Sequence, residues 1–249
     1  MIITIEFLND SRLVVTMYYI FIFWFVYSFF GWIMETIYTS IPKKAFQDRG
    51  FLTMPIIPIY GFGAMIAVVL LKPVSDNLLL VFLLGIFCTS LLEYVTSYLM
   101  EKLFHMRWWD YSDKKFNIHG RICLRNSFLF GVLSVALIQF IHPFLSKLVY
   151  MIPEDVLNQI AVILMGLVLL DFLHSILFSF KFSKVFGDLE MTQKGYQSSR
   201  EDTLLRIEGS FMDLKARVHQ LEHRILKKYP KLKDDLVTML EEIKKNIDH

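Results

Sequence analysis

The chain has 249 residues, of which 55% are hydrophobic, and its formal net charge is +2. This composition excludes an ordinary soluble domain, because the apolar residues come in long runs instead of alternating stripes. The two cysteines, Cys88 and Cys123, lie in or beside apolar runs, so a disulfide framework is not expected. We therefore predict an all-α, multi-pass helical protein of the plasma (cytoplasmic) membrane. We expect its partner to be the lipid bilayer, and we expect no binding of nucleic acid.

Five apolar runs are long enough for membrane-spanning helices. A helix needs about 20 apolar residues to cross roughly 30 Å of hydrocarbon. The first run lacks the basic start and the cleavage site of a signal peptide, so we expect it to be retained. The predicted spans are residues 17–38, 54–71, 78–100, 122–141 and 156–180 of a membrane domain over residues 1–186, followed by a linker at 187–199 and a cytosolic helical tail at 200–249.

Basic residues alternate between the predicted connections. The first and third connections carry several each, whereas Lys72 and Lys147 are the lone basic residues of the second and fourth. The tail opens with Lys181 and Lys184. The positive-inside rule then predicts an external N-terminus and a cytosolic C-terminus.

The second span opens with an unusual density of proline and glycine. Pro55, Pro58, Gly61 and Gly63 fall within three turns. One interpretation is a capped helix start with close packing at the two glycines. The other is a broken or re-entrant segment whose free backbone groups line a cavity.

Four ionisable side chains are predicted at similar depth near the cytosolic ends of spans. Glu35 lies in the first span, Glu93 lies in the third, and Arg121 and Arg125 share one face at the start of the fourth. A charge at mid-bilayer costs about 2.5–3.5 kcal/mol on insertion scales, so such groups need partners. They form either a structural clasp that fixes helix register or a polar pocket for a ligand.

The stretch RWWDYSDKKFNIHGRICLRNS joins the third and fourth spans. Trp108, Trp109 and Tyr111 are typical of an aromatic belt at the membrane surface. The stretch also has more directional hydrogen-bonding groups than an anchor needs, namely Asp110, Asn117, His119, Arg121 and Asn126. No metal-ligand spacing, cofactor motif or catalytic motif is present, so we expect neither a metal nor a cofactor and predict no catalytic residue.

Two further features follow toward the C-terminus. Asp171 and His174 are spaced i, i+3 in the fifth span, and they fit either an interhelical hydrogen bond or a proton relay. The tail carries a heptad seam that predicts self-association or pairing with a partner helix. An amphipathic helix on the inner leaflet is the alternative. The seam residues are Leu204, Ile207, Phe211, Leu214, Val218, Leu221 and Ile225.

Residues 23–143 resemble the CmpB-type family of ABC-transporter permeases. Three strings carry the resemblance: YSFFGWIMETIY, RGFLTMPIIPIYGFGA, and LEYVTSYLMEKLFHMRWWDYSDKKFNIHGRICLRNS. Thr53 and Met54 stand where a glycine commonly precedes the first proline. The residues that match the family pattern are Gly31, Trp32, Glu35, Arg49, Gly50, Phe51, Pro55, Pro58, Tyr60, Gly61, Glu93, Tyr94, Glu101, Trp109, Asp110, Tyr111, Asn117, Gly120, Arg121 and Cys123.

The resemblance implies transport, and it implies a separate ATPase subunit, because no Walker A sequence occurs in the chain. The first hypothesis is a permease or permease-like subunit with a cytosol-facing polar pocket for a small molecule or lipid. The second is a non-transporting scaffold or regulatory subunit that recruits a partner through its tail. A membrane enzyme acting on a lipid head group is a weaker third. The predicted ligand-binding residues are Trp32, Glu35, Tyr60, Glu93, Trp109, Asp110, Asn117, Arg121 and Arg125.

Overall fold

The computed structural model describes residues 10–105, 107–198, 237–238 and 241. The heptad seam at 204–225 lies outside these residues, so its pairing stays a prediction. The helices are α1 (Asp10–Lys43), α2 (Pro58–Leu71), α3 (Leu78–Phe104), α4 (Leu124–Ala136), α5 (His142–Tyr150) and α6 (Glu154–Ser198). The strands are β1 (Asn117–Ile118) and β2 (Ile122–Cys123). A 3-10 turn at Lys72–Val74 follows α2, and a π-helical segment at Leu137–Ile141 joins α4 to α5.

Four helical stretches in the described part are long and apolar enough to cross a membrane. They are Leu13–Lys43, Leu78–Phe104, Leu124–Tyr150 and Glu154–Lys181. A shorter apolar stretch, Pro58–Val74, corresponds to the second predicted span. The prediction of a multi-pass, almost entirely helical membrane protein is confirmed, whereas its orientation stays a prediction.

The helix of the second span begins later than expected. It starts at Pro58 instead of residue 54, because Pro55 and Pro58 each disfavour helical backbone at the residue before them. Residues 50–57 are therefore irregular, although Leu52 and Ile56 are fully buried. The backbone of this segment is hydrogen-bonded to α1, since the Ile57 N–H donates to the Ser28 carbonyl oxygen at 3.0 Å.

Close packing of α1 on α2 is confirmed at Gly61. A Cβ atom there would collide with Ser28 Oγ and lie 2.6 Å from the Trp24 carbonyl oxygen. Gly31 of α1 is equally tight against the Tyr60 side chain. At Gly63 the expectation of tight packing is wrong, because a Cβ atom would make an ordinary 3.5 Å contact with Leu92.

Two apolar clusters hold the bundle together. One lies among α1, α2 and the α4–α5 region and includes Phe23, Leu71 and Ile138. The other is aromatic and ties the irregular segment before α2 to the end of α3 and to α6. Its ring contacts join Phe51, Phe104, Trp108, Phe172 and Phe180.

α6 extends well beyond the predicted fifth span. It continues through Gly187 to Ser198, so the backbone of most of the predicted linker at 187–199 is helical. The division into membrane domain, linker and tail stays a prediction.

Gly61→Ala should destabilise the α1–α2 contact, because the added methyl group has no room beside Ser28 and Trp24. We expect a fall of about 1–3 kcal/mol in the free energy of unfolding, seen as a lower thermal unfolding temperature in nanodiscs. Gly63→Ala is the matched control, since its methyl group fits beside Leu92. Equal unfolding temperatures for the two variants would contradict the close approach at Gly61.

Candidate functional site

The connection between α3 and α4 folds into a small hairpin, which the sequence analysis did not predict. β1 pairs antiparallel with β2, and the Arg121 N–H donates to the Ile118 carbonyl oxygen at 3.0 Å. His119 and Gly120 both have positive φ, at 54° and 69°, as the central residues of a type I′ turn require. The hairpin thus fixes where Arg121 enters the bundle.

Two predicted ligand-binding residues hold this connection in shape. The Asn117 side-chain amide donates to the Lys114 carbonyl oxygen at 2.8 Å, and its oxygen accepts from the Gly120 N–H at 2.9 Å. Asp110 Oδ1 accepts from the Ser112 N–H at 2.9 Å. These contacts are local turn contacts, so Asn117 and Asp110 position the hairpin next to the site.

Glu35 of α1 is held by groups from α2 and from the irregular segment. Tyr60 donates its hydroxyl hydrogen to Glu35 Oε2 at 2.8 Å. Arg49 lies 3.6 Å from Glu35 Oε1, and both side chains keep some exposure. Beside them, Trp32 donates its indole N–H to Asp48 at 3.0 Å. Glu35, Tyr60 and Trp32 were predicted as site residues, whereas Arg49 was not.

Glu93 of α3 is the most deeply buried carboxylate of the site. Its residue is 6% exposed, and Tyr111 donates to Glu93 Oε1 at 3.1 Å. Its second oxygen, Oε2, is buried and has no hydrogen-bond partner among the residues that the structure describes. Glu93 Oε2 is therefore available to bind a proton or to accept a hydrogen bond from a donor outside the chain.

Tyr111 reaches Glu93 from the loop before the hairpin. Burial, followed by the nearby charges of Glu93 and Glu35, raises the pKa of the Tyr111 phenol well above its ordinary value. The hydroxyl group therefore stays protonated and donates. Tyr111 was predicted as a membrane anchor, and its role in binding a buried carboxylate was missed.

Glu35, Tyr60, Glu93 and Tyr111 together form what we call the carboxylate–tyrosine cluster. Each carboxylate accepts from one tyrosine, and Glu35 lies within electrostatic range of Glu93 and of Tyr111. Four segments of the chain meet here. They are α1, α2, α3 and the loop before the hairpin. Within the described ranges, no three histidine, cysteine or acidic side chains gather closely enough to hold a metal ion.

The two predicted arginines lie elsewhere. Arg121 is 11% exposed and pairs with Glu101 Oε2 at 2.6 Å, and it also donates to Ser97. Arg107 contacts the other oxygen of Glu101 at 3.2 Å. Among the described residues, Arg121 therefore makes no ion pair with Glu93. Glu101 was missed as the partner, although Glu93, Ser97 and Glu101 are spaced four apart on one face of α3.

Arg125 and Trp109 also lie outside the cluster. Arg125 is exposed and stacks over the Tyr38 ring at 5.9 Å. Trp109 donates its indole N–H to the Arg121 carbonyl oxygen at 3.0 Å, so it fastens the hairpin.

Asp171 of α6 has a clear positioning role. Its Oδ2 accepts from the backbone N–H groups of Thr53 and Met54, at 2.8 and 2.9 Å. Asp171 thus provides the hydrogen-bond acceptor for two backbone N–H groups of the irregular segment. In a helix, backbone carbonyl oxygens would accept from these groups. A proton relay through Asp171 and His174 stays a prediction.

Comparison with known proteins gives one match. Residues 22–176, which are more than half of the chain, match the model of the family ABC_trans_CmpB, described as "Putative ABC-transporter type IV". The matched residues contain the whole carboxylate–tyrosine cluster and the hairpin. No curated protein and no solved structure matches the chain.

Arg121→Gln should lower the free energy of unfolding by about 1–3 kcal/mol, because it leaves Glu101 without its closest cation. Arg125→Gln removes the same charge from an exposed position four residues later, and it should change stability by less than about 0.5 kcal/mol. Thermal unfolding of both variants in the same nanodiscs measures the difference. An equal loss for Arg125→Gln would contradict the assignment of Arg121 to the ion pair with Glu101.

Proposed function

The chain belongs to the CmpB-type family of ABC-transporter proteins, and from this premise we propose that it is a permease-like membrane subunit. In this proposal, the carboxylate–tyrosine cluster binds the polar part of a small molecule or lipid. The observation that carries the proposal concerns Glu93 Oε2, which is buried in a helix long and apolar enough to cross a membrane and has no hydrogen-bond partner among the described residues.

A half-satisfied carboxylate is costly inside a membrane protein. Leaving a buried acceptor unpaired costs about 1–3 kcal/mol, and more when the acceptor is charged. A structural clasp would be expected to satisfy both oxygens. A binding site, by contrast, keeps an acceptor free for the hydrogen-bond donor of its ligand.

The chemistry of the cluster favours a ligand that donates hydrogen bonds or carries positive charge. Two carboxylates, Glu35 and Glu93, face two tyrosines, while Arg49 is the cation paired with Glu35. Tyrosine rings also attract cations through their faces. A protonated amine, or a proton carried with a neutral substrate, would satisfy Glu93 Oε2. Arg121 and Arg125 lie outside the cluster, so Arg49 would contact any anionic group of the ligand.

The remaining predicted residues support the site from outside. We propose that Trp32 forms a wall of the site next to Glu35, since its indole group is fixed by Asp48. Trp109, Asp110 and Asn117 would position the hairpin that closes the site. With the C-terminus in the cytosol of a plasma-membrane protein, the site would open to the cytosol, and a separate ATPase subunit would dock on that face.

A second candidate function is a non-transporting scaffold or regulatory subunit. The Arg121–Glu101–Arg107 cluster favours it, because these charges satisfy one another and fix the hairpin without any ligand. In that case the tail would recruit the partner through its heptad seam. The two candidates differ in what Glu93 does.

Glu93→Gln separates them without knowledge of the ligand. If Glu93 is a binding group, the neutral amide should leave the free energy of unfolding unchanged or raise it by about 1 kcal/mol, because a costly buried charge is removed. The measurement is thermal unfolding in nanodiscs, with mass spectrometry of small molecules released from wild type and variant. A molecule carried by the wild type should be absent from the variant.

Glu101→Gln is the matched control, since it removes a carboxylate that has two cationic partners and should lower stability. A loss of about 3–5 kcal/mol for Glu93→Gln would favour a clasp and the scaffold function. An unchanged set of released molecules would also contradict the binding role.

A further inference from the structure

A groove lies on the outer surface where the hairpin connection meets the start of α4. Its volume is about 480 Å³. Lys114, Lys115 and Arg125 supply positive charge to its lining, and Phe116, Leu124 and Phe128 supply apolar surface. No acidic side chain is among the groove's lining residues, all of which belong to the described part of the chain. The lining of the groove thus contains both basic and apolar side chains.

Its position in the chain is the one expected for a membrane surface. Leu124 begins the helical stretch Leu124–Tyr150, which is long and apolar enough to cross a bilayer. The lysines precede that stretch in the polar connection. Basic side chains at a membrane surface contact lipid head groups. Apolar side chains at the start of the adjoining helix contact acyl chains.

Phe116 adds an independent indication of a lipid-facing surface. Its side chain is 78% exposed, and its φ of 54° is uncommon for a residue other than glycine. A hydrogen bond from the Leu124 N–H to the Phe116 carbonyl oxygen, at 3.2 Å, stabilises this backbone geometry. The phenyl ring is held outward between the two lysines and the start of α4. Exposing such a ring to water costs free energy, whereas contact with lipid does not.

We propose that this groove binds an anionic phospholipid from the leaflet on the hairpin side. Lys114, Lys115 and Arg125 contact the phosphate group, and an acyl chain lies along Leu124 and Phe128. The groove is separate from the carboxylate–tyrosine cluster, because Arg125 stacks on Tyr38 and makes no ion pair with Glu35 or Glu93 among the described residues. The proposal therefore stands whether or not the cluster binds a transported molecule.

The test measures lipid retention by the full-length protein in detergent. Native mass spectrometry follows binding of phosphatidylglycerol and of phosphatidylcholine with matched acyl chains. The wild type should retain phosphatidylglycerol preferentially. Replacing Lys114, Lys115 and Arg125 together with glutamine should weaken phosphatidylglycerol binding at least about tenfold, because each basic group near the surface contributes several-fold. Phe116→Ser should weaken it with the charge unchanged.

The matched control replaces Lys43, Lys44 and Lys102 with glutamine, which removes the same charge from basic residues outside the groove. This control should keep the preference for phosphatidylglycerol. Equal retention of both lipids by the wild type, or an equal loss in the control, would overturn the proposal. Competition by inorganic phosphate alone at millimolar concentration would also overturn it, because the acyl chain would then contribute nothing.

Discussion

The pairing of two carboxylates with tyrosine hydroxyl groups organises the matched part of this protein. A carboxylate in a membrane interior needs a donor, because neither lipid nor apolar side chains provide one. Glu35 finds its donor in Tyr60, which binds α2 to α1, and Glu93 finds its donor in Tyr111, which draws the loop onto α3. The two hydrogen bonds thus join two pairs of segments, α1 with α2 and α3 with the loop before the hairpin.

The backbone around the cluster follows from the same constraint. Tyr60 reaches Glu35 because α1 and α2 approach closely at Gly31 and Gly61. The prolines that make the segment before α2 irregular also leave backbone N–H groups without helical partners, and Asp171 accepts from two of them. Tyr60 thus serves the cluster, whereas Asp171 serves the backbone of the irregular segment. Arg125, in contrast, is exposed near the start of α4 and stacks over the Tyr38 ring, and we propose anionic lipid as its partner.

The sequence predicts this fold better than it predicts the site. Long apolar runs predict α1, α3, α4 and α6, because only a helix satisfies the backbone of such a run in lipid. The prediction of Glu35, Tyr60 and Glu93 at the site rests on the cost of membrane charges and on family resemblance. The ion pair of Arg121 with Glu101 was missed. Glu93 and Glu101 lie about two helical turns apart on the same face of α3, and the choice between them depends on how the hairpin folds back.

We infer that Glu35 and Glu93 act as one site. A double-mutant cycle of Glu35→Gln, Glu93→Gln and the combined variant tests this inference, with the free energy of unfolding measured in one type of nanodisc. The double variant should depart from the sum of the single variants by at least about 0.5 kcal/mol, because each charge acts on the other. Additivity to within about 0.3 kcal/mol would contradict the claim and leave two independent hydrogen bonds in its place.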